Sequence, residues 1–370
     1  MDKKKRCGAL RAVCIVMYVW AAVSAVLYVV MRLSPSFAEF FNRTVSAASR
    51  RVFVFFTDFF PFSVAELAVL LSPVALIAVT AWAIVRVVRR GAAGARRVIA
   101  VLLAFICFLG STFVFNGAAG YFGVGVGEKI GVDTSDPTED ELYDACSYLA
   151  DRINEAAASG QIYSDSTGAT VMPDSIGETA LKIESMYSSF RDVFGFPQSF
   201  SSVPKILVTS PVITYTHVSG LFSDTTAEIN INTNYPDYVV TSTIAHELAH
   251  QRGVAPENEA NFMAFAVLVD APDPYLRYAG CLDAFTNVSQ YLYKLNRDRY
   301  AEVRGRLCKT ASDDLHAYSV FFDKYRENRA AEVSDKVNDA YLKSQGTSGT
   351  VSYDEASVLI VKFIEKYRKS

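Results

Sequence analysis

The stretch YPDYVVTSTIAHELAHQRG, Tyr235–Gly253, decides how the chain is read. Its pattern is one helix between two stops. Pro236 suits a first turn, where the missing N–H is not needed, and Gly253 suits the position just past a helix end. On such a helix His246 and His250 lie one turn apart on one face. They are two of the four histidines in the chain. Two imidazoles at that spacing can reach one Zn2+, each at about 2.0–2.1 Å. Glu247 is rotated by about 100° from His246, so it falls outside the ligand set but within reach of a metal-bound water. That makes it the natural general base. The expected chemistry is hydrolytic: zinc acidifies a water and polarises a carbonyl, and Glu247 carries the proton to the leaving amine.

A catalytic zinc needs a third protein ligand and an open position. After Gly253 the chain turns through Val254–Pro256, and PENEANFMAFAVLVDA, Pro256–Ala271, begins a second helix with Pro256 in its first turn. The short connection folds this helix back on the first. Glu257 and Glu259 then both lie near the depth of His250, and either can complete the set. Asn261, one turn after Glu257, is placed to orient a ligand. The oxygen of a tetrahedral intermediate needs a donor besides zinc, and Tyr275 and Tyr278 in DPYLRYAG are candidates among 20 tyrosines. His217, in YTHVSG, is a candidate substrate contact. In TTAEININ, Thr225–Asn232, Ala227, Ile229 and Ile231 alternate with Thr226, Glu228 and Asn230. That alternation predicts a half-exposed strand, whose polar edge can take a peptide as an added strand.

Charge divides the chain. Residues 1–97 hold 14 Lys/Arg and 4 Asp/Glu, which leaves 22 basic against 35 acidic residues from Val98 onward, a net of −13. A basic, apolar front and an acidic back predict a membrane anchor (1–127) followed by a water-facing domain (128–370). An acidic domain argues against nucleic acid as a partner. Three apolar runs, Ala9–Met31, Phe62–Val85 and Val98–Phe122, are each long enough to span a bilayer, which takes about 20 residues. Lys3, Lys4, Lys5 and Arg6 precede the first run, and Arg86, Arg89, Arg90, Arg96 and Arg97 lie between the second and third. Both basic flanks belong in the cytoplasm, so three crossings place everything after Phe122 outside. The segment Ser49–Phe62, SRRVFVFFTDFFPF, is either an interfacial helix or an early start to the second span.

The remaining patterns are mostly helical. Asp133–Ala157 carries acidic residues at its start, Pro137 in its first turn, and Leu142, Ala145, Leu149 and Ile153 at helical spacing. Ser175–Gly195 is a second amphipathic helix, and PKILVTS, Pro204–Ser210, is a short buried strand. The fold class is therefore α+β: three transmembrane helices, then a mostly helical domain with a small sheet. Cysteine spacing supports no disulfide framework; a Cys281–Cys308 bridge is left open.

HELAH followed by ENEANFMAFAVL resembles the gluzincin type of zinc metallopeptidase, in which HExxH precedes a glutamate ligand in an E-x-x-A-D/N helix. That resemblance implies a zincin-like domain with Glu257 as third ligand and Asn261 supporting a histidine. The gap between HELAH and the glutamate is shorter than in most such peptidases, which keeps Glu259 as the alternative. The whole layout, with HELAHQRG, ENEAN and VSYDEASVLI, resembles a bacterial membrane family, the domain-of-unknown-function 3810 group. The expectation is a multi-pass bacterial membrane protein, N-terminus inside, that binds one Zn2+ per chain and hydrolyses peptide bonds of envelope or membrane proteins. Two other readings remain: a non-catalytic zinc-binding sensor or scaffold, and a hydrolase of peptidoglycan or other cell-wall amides.

Overall fold

The structure, a computed structural model, describes residues 3–195, 202–326, 328–347 and 352–368. These fall into two compact units: Met1–Gly123 with Ser223–Glu228, and Val124–Phe222 with Ile229–Ser370. The division falls near the expected boundary at residue 127, except that six residues of the back half cluster with the front.

The first unit is helical. It contains α1 (Lys3–Leu33), α2 (Pro35–Phe41), a π-helical turn (Asn42–Ser46), α3 (Ala47–Thr57), α4 (Val64–Phe113), a second π turn (Val114–Ala118) and α5 (Ala119–Phe122). Among the described residues two stretches, Gly8–Leu33 and Val64–Phe122, are long and apolar enough to cross a membrane. The expected count of three is corrected to two, because the second and third apolar runs share one helical stretch. That stretch is broken at Gly91, whose φ of 52° and ψ of −133° are not helical. A β-carbon on Gly94 would lie 2.1 Å from the Arg86 carbonyl oxygen. In a continuous helix residues eight apart are separated by about 12 Å, so the chain doubles back here. Glycine is required at residue 91, since its φ lies in the left-handed region. The later half runs alongside α1 in the same direction: Tyr18 donates to the Ala100 carbonyl, and Trp20 packs on Phe108 and Tyr28 on Phe122.

The segment 49–62 is not an early start to the span. Helix α3 ends at Thr57, and α4 begins afresh at Val64 with Ser63 as its N-cap. On α3 Arg50, Val54 and Thr57 are buried, while Val52, Phe55 and Phe56 are exposed.

The second unit holds α6 (Val126–Lys129), α7 (Glu139–Ala157), the hairpin β1 (Tyr163–Ser164) and β2 (Thr170–Val171), α8 (Ile176–Tyr187), α9 (Arg191–Phe194), β3 (Lys205–Ile206), α10 (Ser210–Ile213), β4 (Gly220–Phe222) and β5 (Ile229–Ile231). Helices α11 (Asp237–Gln251), α12 (Glu257–Leu268), α13 (Pro274–Leu295), α14 (Arg297–Gly305), α15 (Lys309–Asp323), α16 (Arg329–Ser344) and α17 (Ser352–Arg368) complete it. It is mostly helical with small sheets, an α+β arrangement.

Helix α7 shows why these residues fold as they do. Thr138 and Glu141 form a reciprocal capping box, which satisfies two orphan amides; Pro137 precedes this cap rather than occupying the first turn. Leu142, Ala145, Leu149 and Ile153 are all fully buried, and α7 packs along α13. The predicted helix over 175–195 is interrupted: α8 stops at Tyr187, a 3-10 turn follows, and α9 ends before Gly195 at φ 65°. Helix α12 is apolar nearly all round because it is enclosed, with Phe262 and Phe265 packing on Phe363 of α17.

The three-stranded sheet has the order β3-β5-β4, with β5 parallel to β3 and antiparallel to β4. This corrects the reading of TTAEININ. Its strand starts only at Ile229, sits at the centre of the sheet, and is buried at all three residues. The edge strands are instead β3 and β4. Ile206 of β3 is exposed, contrary to a fully buried strand. Cys281 and Cys308 form no disulfide.

Candidate metal centre

Helix α11 ends in a way that also prepares a ligand. Gly253 adopts a φ of 93°, its N–H donates to the His250 carbonyl, and the Val254 N–H donates to the Ala249 carbonyl. This is a Schellman stop, which needs glycine at the left-handed position. The turn brings the Val254 carbonyl 2.8 Å from His250 Nδ1. A carbonyl only accepts, so Nδ1 carries the proton of a neutral ring and Nε2 keeps its lone pair. The helix stop therefore fixes the tautomer of His250.

The following turn starts α12 at Glu257, whose carboxylate enters the histidine pair. Glu257 Oε2 lies 3.2 Å from His246 Nε2 and 3.6 Å from His250 Nε2. The donor atoms of His246, His250 and Glu257 all lie within 4.8 Å of one another. Tetrahedral zinc with bonds near 2.1 Å requires donor separations of about 3.4 Å, so the two measured distances bracket the spacing needed. The donor set, two imidazoles and one carboxylate, suits zinc.

Electrostatics follow from burial of opposite charges. Burial works to raise the Glu257 carboxyl, but the two imidazoles beside it outweigh that and hold it well below the usual carboxylate range. Burial works to lower His250, but Glu257 and then Glu247 outweigh it and push it up to about 9. Glu247 moves the other way. It is 3% exposed, and burial raises its carboxyl despite the neighbouring histidines. Its Oε2 is buried without a hydrogen-bond partner.

Strand β4 lies directly against this carboxylate. The Phe222 amide faces Glu247 closely enough to favour its ionised form, a smaller effect than burial. A β-carbon on Gly220 would fall 2.6 Å from Glu247 Oε1 and 2.5 Å from Thr243 Cγ2, so only glycine fits. Along β4 the ladder to β5 uses residues 219, 221 and 223, seen at its ends in Asn232 N–H to Ser219 and Ser223 N–H to Glu228. Alternation then turns the backbone groups of Gly220 and Phe222 to the outer edge. Asp283 on α13 lies near His246; burial pushes the Asp283 carboxyl up to about 6, and His246 works against that.

The other predicted site residues stand elsewhere. Glu259 is not with the ligands: its Oε1 accepts the Val126 N–H at 2.8 Å and caps the start of α6. Asn261 is half-buried and makes no side-chain hydrogen bond to either histidine among the described residues. Tyr275 is fully buried, with Asp237, Thr170 and Thr241 as its polar neighbours. Tyr278 donates at 2.6 Å to Asp314, which also accepts from Thr170 N–H and Oγ1. Both tyrosines are buried in the packing of α13. His217 has a φ of 60°, its Nε2 meets the Tyr325 carbonyl at 2.7 Å, and its ring packs on Phe322. These contacts with Tyr325 and Phe322 hold His217 in its loop.

Sequence reasoning missed Gly220, the Phe222 amide and Asp283. A glycine in a strand is a known mark of close backbone approach, and Asp283 is a lone carboxylate in the apolar run AGCLDAF. Both signals were available.

A family model described as protein of unknown function (DUF3810) matches residues 40–361, which covers most of the chain. No curated protein matches the chain, and no solved structure matches it.

Proposed function

We propose that this chain, which belongs to the DUF3810 family of proteins of unknown function, is a membrane-anchored zinc metallopeptidase. The observation that carries the reading is the convergence of His246, His250 and Glu257 beside a buried, partly unpartnered Glu247. The three side chains would hold one zinc ion through His246 Nε2, His250 Nε2 and the Glu257 carboxylate. Zinc, when bound, supplies Lewis acidity toward a substrate carbonyl and acidity to a water. The protein supplies the rest. Glu247, raised by burial, accepts a proton from the attacking water and returns it to the leaving amine. The close approach of Gly220 holds that carboxylate in place. The outer edge of β4 offers the backbone groups of Gly220 and Phe222 to an extended peptide as an added strand.

The anchor reading rests on unit one. Helix α1 and the half of α4 after Gly91 run in the same direction, and the stretch before Gly91 reverses. Two apolar stretches, the second reversing at Gly91 between basic residues, support a membrane anchor with the Arg86–Arg97 segment and the N-terminus on the cytoplasmic side, and we place the metal-binding unit outside. Substrates are then envelope or membrane proteins.

The test is cleavage of a peptide library by the full-length protein in detergent, with and without a chelator. Chelator-sensitive cleavage is the expected result. Zinc binding without cleavage of peptides or purified cell wall would favour a zinc-binding sensor, and cleavage confined to cell wall would favour an amidase of peptidoglycan. Cysteine labelling from outside at residue 128, and from inside at residue 93, tests the orientation.

A further inference from the structure

Helices α11 and α13 lie side by side and run in the same direction. Tyr275, at the start of α13, has Asp237 and Thr241 from the start of α11 as neighbours. One turn on, Ser242 Oγ donates to the Ala279 carbonyl at 3.4 Å. The next turn of each helix carries His246 and Asp283, and the two act on each other. Helix α15 closes the corner. The ring of Tyr318 lies 6.4 Å from that of Tyr238, which shares the Ser242 and His246 face of α11. Tyr318 also stacks on Phe322, with centroids 5.5 Å apart and planes 9° apart. Burial, and then the negative charge of Asp283, raises the phenols of Tyr238 and Tyr318.

The polar groups of this corner stand apart from those around them. The nearby carboxylates are matched. Glu257 lies against two imidazoles, Asp314 accepts from Tyr278 and Thr170, and Asp237 accepts the Met172 N–H at 2.8 Å. Asp283 is half-buried and, among the described residues, makes no hydrogen bond or ion pair. The hydroxyls of Tyr238, which is 2% exposed, and of Tyr318 likewise have no hydrogen-bond partner among those residues. The cation that acts on Tyr238 is Arg304, and its guanidinium donates to Ser312. Asp283, raised only to about 6, is anionic at neutral pH. A carboxylate drawn out of water is costly until a cation meets it, and phenol rings attract that same cation through their faces.

We propose that Asp283, with the rings of Tyr238 and Tyr318, forms a subsite beside His246 for a cationic group of the substrate: the N-terminal ammonium of a peptide, or a lysine or arginine side chain next to the cut bond. This deepens the peptidase reading and rests on it for calling the ligand a substrate, but recognition is tested by binding alone. The experiment is calorimetric titration of the full-length, zinc-reconstituted protein in detergent near neutral pH with three probes. Norleucine amide carries only the α-ammonium, Nα-acetyl-arginine amide carries only a side-chain cation, and Nα-acetyl-norleucine amide carries neither. One cationic probe should bind roughly tenfold tighter than the neutral one, and which one does so names the source. Asp283→Asn should erase that preference. Tyr318→Ala should weaken it by removing one ring, and serves as the second variant if Asp283→Asn fails to fold. Equal binding of all three probes overturns the proposal, as does a cationic preference that survives Asp283→Asn. A wild type that takes up no zinc refutes the metal-centre reading alone. The contacts are with Asp283 and the two rings, so the same comparison on the metal-free proteins then decides this one. That comparison also decides it if Asp283→Asn loses zinc.

Discussion

Replacing Gly220 with alanine probes the contact between strand and base most sharply. The new β-carbon would fall 2.6 Å from Glu247 Oε1 and 2.5 Å from Thr243 Cγ2, against about 3.4 Å for ordinary contact. Something must give by roughly 0.8 Å at Glu247. Strand β4 is held by its ladder to β5, and Thr243 is fixed on α11, so the Glu247 side chain is the freest of the three to move. Misplacing a reacting group by about 1 Å costs on the order of 100-fold in rate, and overpacking of this kind costs about 1–3 kcal/mol in stability. None of the three candidate metal ligands is touched, so zinc content should not change. The assay is kcat for peptide cleavage, with metal content and thermal unfolding measured on the same preparation. A Gly220→Ala protein with full zinc and wild-type kcat would refute the placement of Glu247 as base.

Three further outcomes follow from the same geometry. Glu247→Gln should retain zinc and lose roughly 100- to 10,000-fold in kcat, the usual scale for a general base; loss of zinc in step with activity would mean that Glu247 is a ligand. Tyr278→Phe removes a buried hydrogen bond to Asp314 and should cost about 1 kcal/mol of stability with kcat unchanged; a large drop in kcat at equal stability would return Tyr278 to the site. In the metal-free protein His250 is raised from 6.5 to about 9. A raised imidazole contributes stability that is fully present below about pH 6.5 and is lost as pH climbs through about 9. The metal-free Tm should therefore fall across that window, and fall less in His250→Gln; a flat wild-type profile would contradict the pairing.

How far the sequence could be read depends on how local each feature is. The two histidines, Glu247, the glycine stop and the second helix lie within about one turn-and-return of chain, and helical period places them. Glu257 and Glu259 were indistinguishable at that level, because both sit in the first turn of α12. What separates them is Gly125 and Val126, more than a hundred residues away, which claim Glu259 as a cap. The sheet failed for the same reason. TTAEININ alternates like an edge strand, yet pairing with both Lys205–Ile206 and Gly220–Phe222 makes its end central. The alternation was partly accidental, since Glu228 accepts the Val64 and Ala65 amides in the first turn of α4 and does not belong to a solvent face. Apolar length marked candidate spans, but the reversal at Gly91 depends on one backbone conformation that composition does not encode. Tyr275 and Tyr278 looked available because tyrosine is often polar at its tip; burial against α7, α11 and α15 gives them structural work instead.

The most direct test is metal content of the full-length protein, purified in detergent and reconstituted with zinc, for wild type, His246→Ala, Glu257→Ala and Glu259→Ala. The account predicts one zinc per chain in wild type and Glu259→Ala, and none in the other two. A folded wild type that takes up no zinc, or a Glu257→Ala protein that keeps it, would contradict the metal centre described here.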